Sequence, residues 1–316
     1  MNRYLFFLLP IICGSFFSIA IARAETPSIA VLYPEVRDPY RAVFLEIIRG
    51  MEKELGQSVT PYVLENEASR LTTIIEKMKT DNIDVVVSLG RAGLEAAKAL
   101  SETFPVVIGA VMIAPGQEIQ GLTGISLAPD PDALFEHLQH IVPHIKEITV
   151  VFDSKQTAWE IDYAKKAAKA RGFSLNAMPA HDVQQSSTLY RQVLVEIKNN
   201  SIALWLPREG LAIAEQVLLP VVLKEAWEKN FVVFSSNLDH VRKGALFSLY
   251  PDNVGMGRSL AVLALQQLQA GAAKTVGIKP LRDLLLAVNL RTAEHLGLQF
   301  SSQTRREFGL VFPNSQ

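Results

Sequence analysis

The stretch IDVVVSLG at residues 83–90 decides the fold class of this chain. Its β-branched and apolar residues suit burial on both faces, which is typical of a central strand in a parallel sheet. A run with helical periodicity follows the glycine, over residues 92–100. A buried strand that leads through a glycine into a helix is the repeating unit of an open α/β sheet.

Strand-like and helix-like segments alternate on both sides of this unit. The first block has strands predicted at residues 28–33, 59–64, 83–89 and 105–111, and helices at 41–55, 69–78 and 92–100. The second block has strands predicted at 147–152, 175–179, 202–206 and 231–235, and helices at 157–170, 189–197 and 211–229. Two consecutive blocks of this kind predict an α/β protein with two open, mostly parallel sheets.

Three extended runs are placed to join the two blocks. They occupy residues 121–126, 244–250 and 284–290. We interpret them as the three strands of a hinge, with the lobes closing over the carboxyl ends of their sheets. Residues 25–124 with 249–282 are expected to form the N-terminal lobe, and residues 125–248 with 283–316 the C-terminal lobe.

The first 24 residues predict a cleaved signal peptide. Arg3 precedes an uncharged, apolar run over residues 4–22, and Ala22-Arg23-Ala24 places small residues at the two positions that a signal peptidase reads. Pro10 and Gly14 within the run favour cleavage before Glu25 over a retained membrane anchor. The expected location is the periplasm of a Gram-negative-type cell, with the anchored form kept as an alternative.

The composition excludes several classes of function. Cys13 is the only cysteine and would leave with the signal peptide, so disulfides and thiolate metal sites are not expected. The chain has 31 basic and 32 acidic residues, and loss of Arg3 and Arg23 would leave a net charge near −3. This charge gives no basis for nucleic-acid binding, which requires a concentrated positive face.

Catalytic and metal-binding motifs are also weak. His137, His140 and His144 are read as solvated side chains rather than metal ligands, because Pro143 separates the third from the other two and no carboxylate cluster supports them. His181-Asp182 has no nucleophile in its sequence context, and no Gly-x-Ser-x-Gly elbow occurs. We therefore expect no enzyme activity, no metal and no cofactor.

Several segments resemble the periplasmic components of the uncharacterised ABC-type transport systems. The clearest are residues 284–297, which contain the pattern Asn-x-x-Thr-Ala-x-x-Leu-Gly, and residues 241–246 (VRKGAL) followed by Gly257. Residues 105–107 (PVV), 122–124 (LTG) and 164–172 complete the set, and the five segments occur along the chain in the same order as in that family. The resemblance implies a type I periplasmic-binding fold that delivers a small solute to an inner-membrane ABC permease, and some relatives are thought to bind aromatic amino acids.

The chain departs from this family at positions that would contact a ligand. Gly90-Arg91 stands where the family often has Thr or Ser, and Met112-Ile113 stands where it usually has Asp-Pro. Residues 207–210 (PREG) replace its frequent Pro-Thr-Asp-Asn. A carboxylate that would meet an amino group is thus replaced by different chemistry, while arginines favour a ligand with an anionic group.

The candidate site residues follow the predicted strands, where an interlobe ligand would lie. The ligand-binding candidates are Tyr33, Glu35, Tyr40, Gly90, Arg91, Thr157, Trp159, Arg208, Glu209, Ser236 and Tyr250. Aromatic side chains could stack on an apolar ligand body. Arg91 at a helix start could bind an anion together with free backbone N–H groups. Arg208 and Glu209 either pair with each other or recognise opposite ends of a solute, and Trp159 and Tyr250 either line the cleft or pack in the core.

The sequence therefore predicts a monomeric solute-binding protein of an ABC importer, with the solute held between two lobes. Two alternatives remain at this stage. A periplasmic ligand-sensing domain would pass its state to a membrane receptor. An enzyme on a doubly wound fold would need an acid–base pair, for which only Glu35 and Glu209 are suitable.

Overall fold

Strands and helices alternate along almost the whole described chain. The computed structural model describes residues 26–65, 68–114, 121–197, 200–208, 212–270 and 277–313. In chain order the elements are β1 (Ile29–Pro34), α1 (Tyr40–Leu55), β2 (Thr60–Leu64), α2 (Ala68–Thr80), β3 (Val85–Leu89), α3 (Gly90–Ser101), β4 (Val106–Val111), β5 (Thr123–Pro129), α4 (Pro131–Ile141), β6 (Glu147–Asp153), α5 (Ala158–Arg171), β7 (Ser174–Ala180), α6 (Val183–Glu196), β8 (Ile202–Leu206), α7 (Ala212–Lys229), β9 (Val232–Ser235), α8 (Leu238–Lys243), β10 (Phe247–Pro251), α9 (Asn253–Ala270), β11 (Ile278–Leu281), β12 (Leu284–Asn289), α10 (Leu290–His295), α11 (Ser302–Glu307) and β13 (Leu310–Phe312).

The N-terminal lobe is built on a six-stranded sheet with the order β11-β5-β4-β3-β1-β2. All the neighbouring strands in it are parallel. Residues 85–89 of the IDVVVSLG stretch form β3, inside the sheet, and all five of these residues are buried. This confirms the prediction of a central parallel strand.

Residues of β1 show how both faces of this sheet are covered. Ile29 and Val31 pack with residues of α1 and α9 on one face. Ala30 and Leu32 pack with residues of α2 and α3 on the other. Successive side chains of a strand point to opposite faces, so a strand between two helical layers must be apolar at every position.

The C-terminal lobe has a seven-stranded sheet with the order β13-β12-β10-β9-β8-β6-β7. Its strands are parallel except where β12 runs antiparallel to β10. Helices α4 and α5 cover one face, and α6 and α7 cover the other. The structure therefore has two mostly parallel sheets, each covered by helices on both faces, which confirms the predicted fold class.

The chain passes between the sheets three times, through short polar connections rather than through the extended runs named above. It crosses directly after β5, directly after β10, and between β11 and β12. The predicted hinge runs lie largely within sheet strands: residues 123–126 belong to β5, residues 247–250 to β10 and residues 284–289 to β12. Glycine-containing strands next to a crossing have the composition of a linker, which explains the difference in boundaries.

Backbone and side-chain contacts hold the three crossings together. The Asp130 amide donates to the Leu281 carbonyl at 2.8 Å, and the Asp252 amide donates to the Asp283 carbonyl at 2.9 Å. Arg282 donates to the Asp130 carboxylate at 3.1 Å and to that of Asp132 at 3.2 Å. Each crossing is thus tied to another, so the hinge is a single structured unit.

Two glycines allow α1 and α9 to pack at backbone contact. A Cβ added to Gly50 would collide with the Val254 carbonyl, and one added to Gly257 would collide with the Ile47 carbonyl. Gly50 and Gly257 therefore serve the close packing of the two helices.

Candidate functional site

The strand directions place a cleft between the lobes. Strands β5 and β11 end at crossings into the C-terminal lobe, and the rest of the first sheet is parallel to them. Strand β10 ends at a crossing into the N-terminal lobe and is parallel to β9. Since parallel strands end at the same edge, the carboxyl ends of both sheets face the opposite lobe. Loops at these edges are the usual place for a ligand in open α/β folds.

A pocket of about 650 Å³ lies at the carboxyl ends of β1 and β2. Its lining includes Tyr33, Glu35, Arg37, Asp38, Arg41 and Val63. The volume is within the range of about 300–1,000 Å³ that is common for small-molecule sites. The site thus offers two guanidinium groups and two carboxylates close together, beside an aromatic ring and an apolar side chain.

The loop after β1 places the predicted residues in different environments. Tyr33 is buried, and its ring stacks on Phe44 at a centroid distance of 5.8 Å. Glu35 is exposed, with its amide fixed by a hydrogen bond to the Leu64 carbonyl at 3.0 Å. Tyr40 begins α1 and is 70% exposed, which leaves its ring open to a ligand or partner. Arg41, which also lines the pocket, was counted from the sequence only as part of the helix predicted at residues 41–55.

Gly90 and Arg91 form the start of α3, as predicted. Gly90 has a φ of 75°, and a Cβ there would approach Phe44 at 3.3 Å, so the position favours glycine on both counts. The Arg91 side chain is 89% exposed and pairs with Glu95 at 3.3 Å along the helix. Such an exposed pair is weak, so Arg91 can turn toward an anion at little cost.

The end of β4 carries the family departure at Met112-Ile113. Met112 is 48% exposed. The buried Ser126 hydroxyl donates to the Ile113 carbonyl at 2.6 Å and accepts from the Ile113 amide at 3.1 Å. The two hydrogen bonds fix the backbone of Ile113 at the end of β4, next to the exposed apolar side chain of Met112.

Thr157 has a structural rather than a ligand-binding hydroxyl, which differs from the prediction. Its hydroxyl donates to the Asp153 carbonyl at 2.9 Å, and the residue is only 5% exposed. The Asp153 carboxylate accepts from the amides of Lys155 and Gln156 at 2.8 and 3.2 Å. Trp159 is half-buried and lies edge-on to Tyr163 at 6.2 Å. The hydroxyl is thus consumed in building the turn that leads into α5.

Ser154 and His181 meet at the ends of β6 and β7. The Ser154 Oγ lies 2.6 Å from His181 Nδ1, and it also lies 3.2 Å from the Ala180 carbonyl. The Asp182 carboxylate caps α6 by accepting from the Gln185 amide at 2.8 Å. Sequence reasoning named His181 but not its contact with Ser154, because strand register decides which loops become neighbours.

A network of buried polar groups fixes the loop after β9. Ser236 is 5% exposed, and its hydroxyl accepts from the Trp205 indole at 3.0 Å. The Ser235 hydroxyl donates to the Leu206 carbonyl at 3.0 Å, accepts from the Asn237 amide at 2.9 Å and lies 2.8 Å from His240 Nδ1. Among the described residues no acceptor takes the proton of the Ser236 hydroxyl, which could therefore be donated to a ligand.

The remaining candidates lie in three different situations. Arg208 is exposed directly after β8, whereas Glu209 lies outside the described residues. Tyr250 is half-buried against Val241, Ala287 and Phe312, and a Cβ on Gly309 would collide with its hydroxyl. Burial, followed by the charge of Asp252, raises the pKa of Tyr250. These contacts assign Tyr250 to packing within the C-terminal lobe.

The histidines of α4 differ from one another. His140 is exposed, but His137 is half-buried, which differs from the solvated reading, and burial lowers its pKa. Within the described ranges, no group of three His, Cys, Asp or Glu side chains is arranged to hold a metal ion. In the same part of the chain, no helix has both the length and the apolar composition needed to cross a bilayer.

Comparison with known proteins identifies relatives of this fold. The family model for ABC transporter substrate binding proteins matches residues 59–307. The ligand-free, open structure of CD0873, a substrate-binding protein with adhesive properties from Clostridium difficile, is 19% identical, with a TM-score of 0.60 and coverage of 90% of this chain and 99% of that chain. An ABC domain from Streptococcus pneumoniae in complex with L-Trp is 17% identical, with a TM-score of 0.48 and coverage of 91% and 100%. A search of curated protein sequences gives no significant match.

Proposed function

Because the chain belongs to the ABC transporter substrate-binding protein family, we propose that it is the periplasmic component of an importer and binds a small solute with an anionic group between its lobes. The pocket at the ends of β1 and β2 carries this proposal. It is concave, faces the opposite lobe and holds Arg37 and Arg41 within one small-molecule-sized space.

The polar groups of the cleft favour recognition over chemistry. A guanidinium group presents a planar set of N–H donors that matches a carboxylate or phosphate. Glu35 and Asp38 line the same pocket and would accept hydrogen bonds from donor groups elsewhere on the solute. Ser154 and His181 lack the third, orienting member of a catalytic triad among the described residues.

The solute can be found by thermal unfolding in the presence of a library of small carboxylates, phosphates and uncharged analogues. A ligand that binds the folded state at about 100 times its Kd stabilises it by about 2.7 kcal/mol. We expect an anionic compound to raise the melting temperature, and its uncharged amide or ester to have no effect.

Arginine variants test the site. Arg37→Ala with Arg41→Ala should weaken binding of that compound at least ten-fold, because charge-assisted hydrogen bonds are lost. Arg306→Ala, in the exposed helix α11, is the matched control and should leave the affinity unchanged. Equal loss in both variants, or no stabilising compound in the library, would contradict a cleft site for an anion.

The importer role and the location need a separate measurement. Mass spectrometry of the protein recovered from cells should give a mature chain that begins at Glu25. Uptake of the identified solute should fall when the gene is removed and should return with the wild-type chain. A retained N-terminal segment with unchanged uptake would instead support the ligand-sensing alternative.

A further inference from the structure

A second concave site lies between α4, β12 and the C-terminal segment, and none of its lining residues belongs to the interlobe cleft. Its volume is about 670 Å³. We call it the C-terminal pocket, defined by six apolar side chains: Ile141, Leu284, Leu286, Leu298, Phe300 and Phe308. All six are half-buried and pack on the edge of the main core of the C-terminal lobe.

The exposed part of these side chains is the first argument for an occupant. Apolar surface left in contact with water forgoes about 25 cal/mol per Å² of stabilisation. Six such side chains around one cavity form a contiguous apolar surface, which is characteristic of binding sites rather than of scattered surface residues. Phe300 and Phe308 lie edge-to-face at 5.1 Å, so this wall of the pocket is already ordered.

The polar groups at the rim supply the second argument, because they select by charge. His137 is half-buried at the edge of the apolar surface, and among the described residues its imidazole has no hydrogen-bond partner. Burial lowers the pKa of His137, so the ring is neutral at neutral pH and one nitrogen can accept a hydrogen bond.

Glu136 and Glu307 give the rim negative charge. Glu136 is held by Arg171 at 3.1 Å, whereas Glu307 is exposed on α11. No lysine or arginine is among the described residues that line the pocket, so an anion would meet the charge of Glu307 without an ammonium or guanidinium group in the lining. A strongly hydrated cation would have to exchange its hydration water for contact with the apolar side chains of the pocket, which is energetically costly.

We propose that the C-terminal pocket binds an uncharged, hydrophobic small molecule that donates a hydrogen bond to His137. The pocket is separate from the interlobe cleft, so its ligand differs in class from the anionic solute. The protein would then carry two ligands, one between the lobes and one on the C-terminal lobe.

N-phenyl-1-naphthylamine, an uncharged aromatic amine that fluoresces in apolar surroundings, is a suitable probe. Titration into the full chain should give saturable fluorescence with one probe per protein. Leu298→Glu places a charge in the pocket wall and should weaken binding at least ten-fold. Leu310→Glu, the same change at an exposed position of the C-terminal segment, should leave the affinity unchanged. No saturable fluorescence, or the same loss in both variants, would overturn the proposal.

A second variant keeps the test valid if Leu298→Glu unfolds the protein. Thr304→Trp, on the half-exposed rim of the pocket, should fill the cavity and reduce binding of the probe to a similar degree. Retained binding in a folded Thr304→Trp protein would count against the site. Circular dichroism confirms that each variant is folded.

Two further titrations separate this proposal from that for the cleft. The Arg37→Ala, Arg41→Ala double variant should bind the probe as tightly as the wild type, whether or not an anionic solute has been found. A loss of probe binding in that variant would place the probe in the cleft and overturn the proposal. The anion 8-anilinonaphthalene-1-sulfonate should bind at least ten-fold more weakly, and equal affinity would disprove selection against charge.

Discussion

Asp132 is the residue on which two arginines from different parts of the chain converge. Arg171 donates to both of its carboxylate oxygens at 2.7 and 3.0 Å, and Arg282 donates at 3.2 Å. Hydrogen bonds from Arg171, followed by its charge and the contacts of Arg282, hold the pKa of Asp132 below its ordinary value of 3.8 despite the opposing effect of burial. The charged form is therefore stabilised by folding.

This stabilisation has a defined dependence on pH. A carboxyl whose pKa is lowered on folding contributes fully above its unfolded pKa and loses the contribution as pH falls through its folded pKa. Asp132→Asn should reduce the free energy of unfolding by about 2 kcal/mol at neutral pH. The difference in free energy of unfolding between the variant and the wild type should become smaller as the pH falls below 3.8, the ordinary pKa of an aspartate.

Urea unfolding at neutral pH and in acid measures this difference. Asp162→Asn removes an exposed carboxylate that pairs with Lys165, and should cost less than about 0.5 kcal/mol. A constant difference between the Asp132 variant and the wild type across the acid range would show that ion pairing is not the source of the stabilisation.

Single residues were the least predictable part of the site. The positions of Gly90 and Arg91 follow from the strand that precedes them. The use of the Thr157 hydroxyl by the Asp153 carbonyl depends on the local turn geometry, and the contact of Tyr250 with Gly309 depends on how β12 and β13 pair. The first contact depends on turn geometry and the second joins distant positions, so no pattern along the chain reveals either of them.

At the scale of elements, the packing of α1 on α9 depends on glycine. Gly257→Ala would place a methyl group against the Ile47 carbonyl, where only backbone can yield. We expect a loss of at least about 2 kcal/mol in the free energy of unfolding, as for other overpacked cores. Urea unfolding of the variant measures this loss.

Gly56→Ala is the matched control. Gly56 ends α1 with a φ of 65°, and no atom lies near its missing Cβ. The cost there is limited to backbone strain, about 1 kcal/mol. If both variants lose equal stability, close packing of the two helices is not the reason for a glycine at position 257.

The strands and helices themselves were largely predictable, because each strand lies between two helical layers. A strand buried on both faces is mostly apolar, as at Val85–Leu89, where the one polar side chain, Ser88, donates its hydroxyl to the Gly93 carbonyl, and an amphipathic helix follows it. The crossings were not predictable in detail. They are short and polar, as at Pro129-Asp130 and Arg282-Asp283, and resemble ordinary surface turns.

For the whole molecule, Arg282 controls how firmly the hinge is held. Its guanidinium joins the third crossing to the first through Asp130, next to the hydrogen bond from the Asp130 amide to Leu281. Arg282→Met should speed hydrogen exchange of the Asp130 amide several-fold. Exchange requires the hydrogen bond from this amide to open, and in the variant that opening no longer breaks the ion pair between Arg282 and Asp130. Mass spectrometry of exchanged peptides, or NMR, measures the rate.

Arg306→Met provides the control for this change, since Arg306 is exposed on α11. Its exchange pattern at the crossings should match that of the wild type. Unchanged exchange at Asp130 in the Arg282 variant would show that backbone hydrogen bonds alone hold the hinge.

The triple crossing also determines when the protein can fold during its synthesis. The N-terminal lobe needs β11 beside β5, so residue 278 must meet residue 124 before that sheet is complete. The C-terminal lobe needs β12 and β13 at its edge. Neither lobe can finish before nearly the whole chain has left the ribosome, and apolar strands stay unprotected until then. A chain of this topology therefore completes both of its sheets only late in its synthesis.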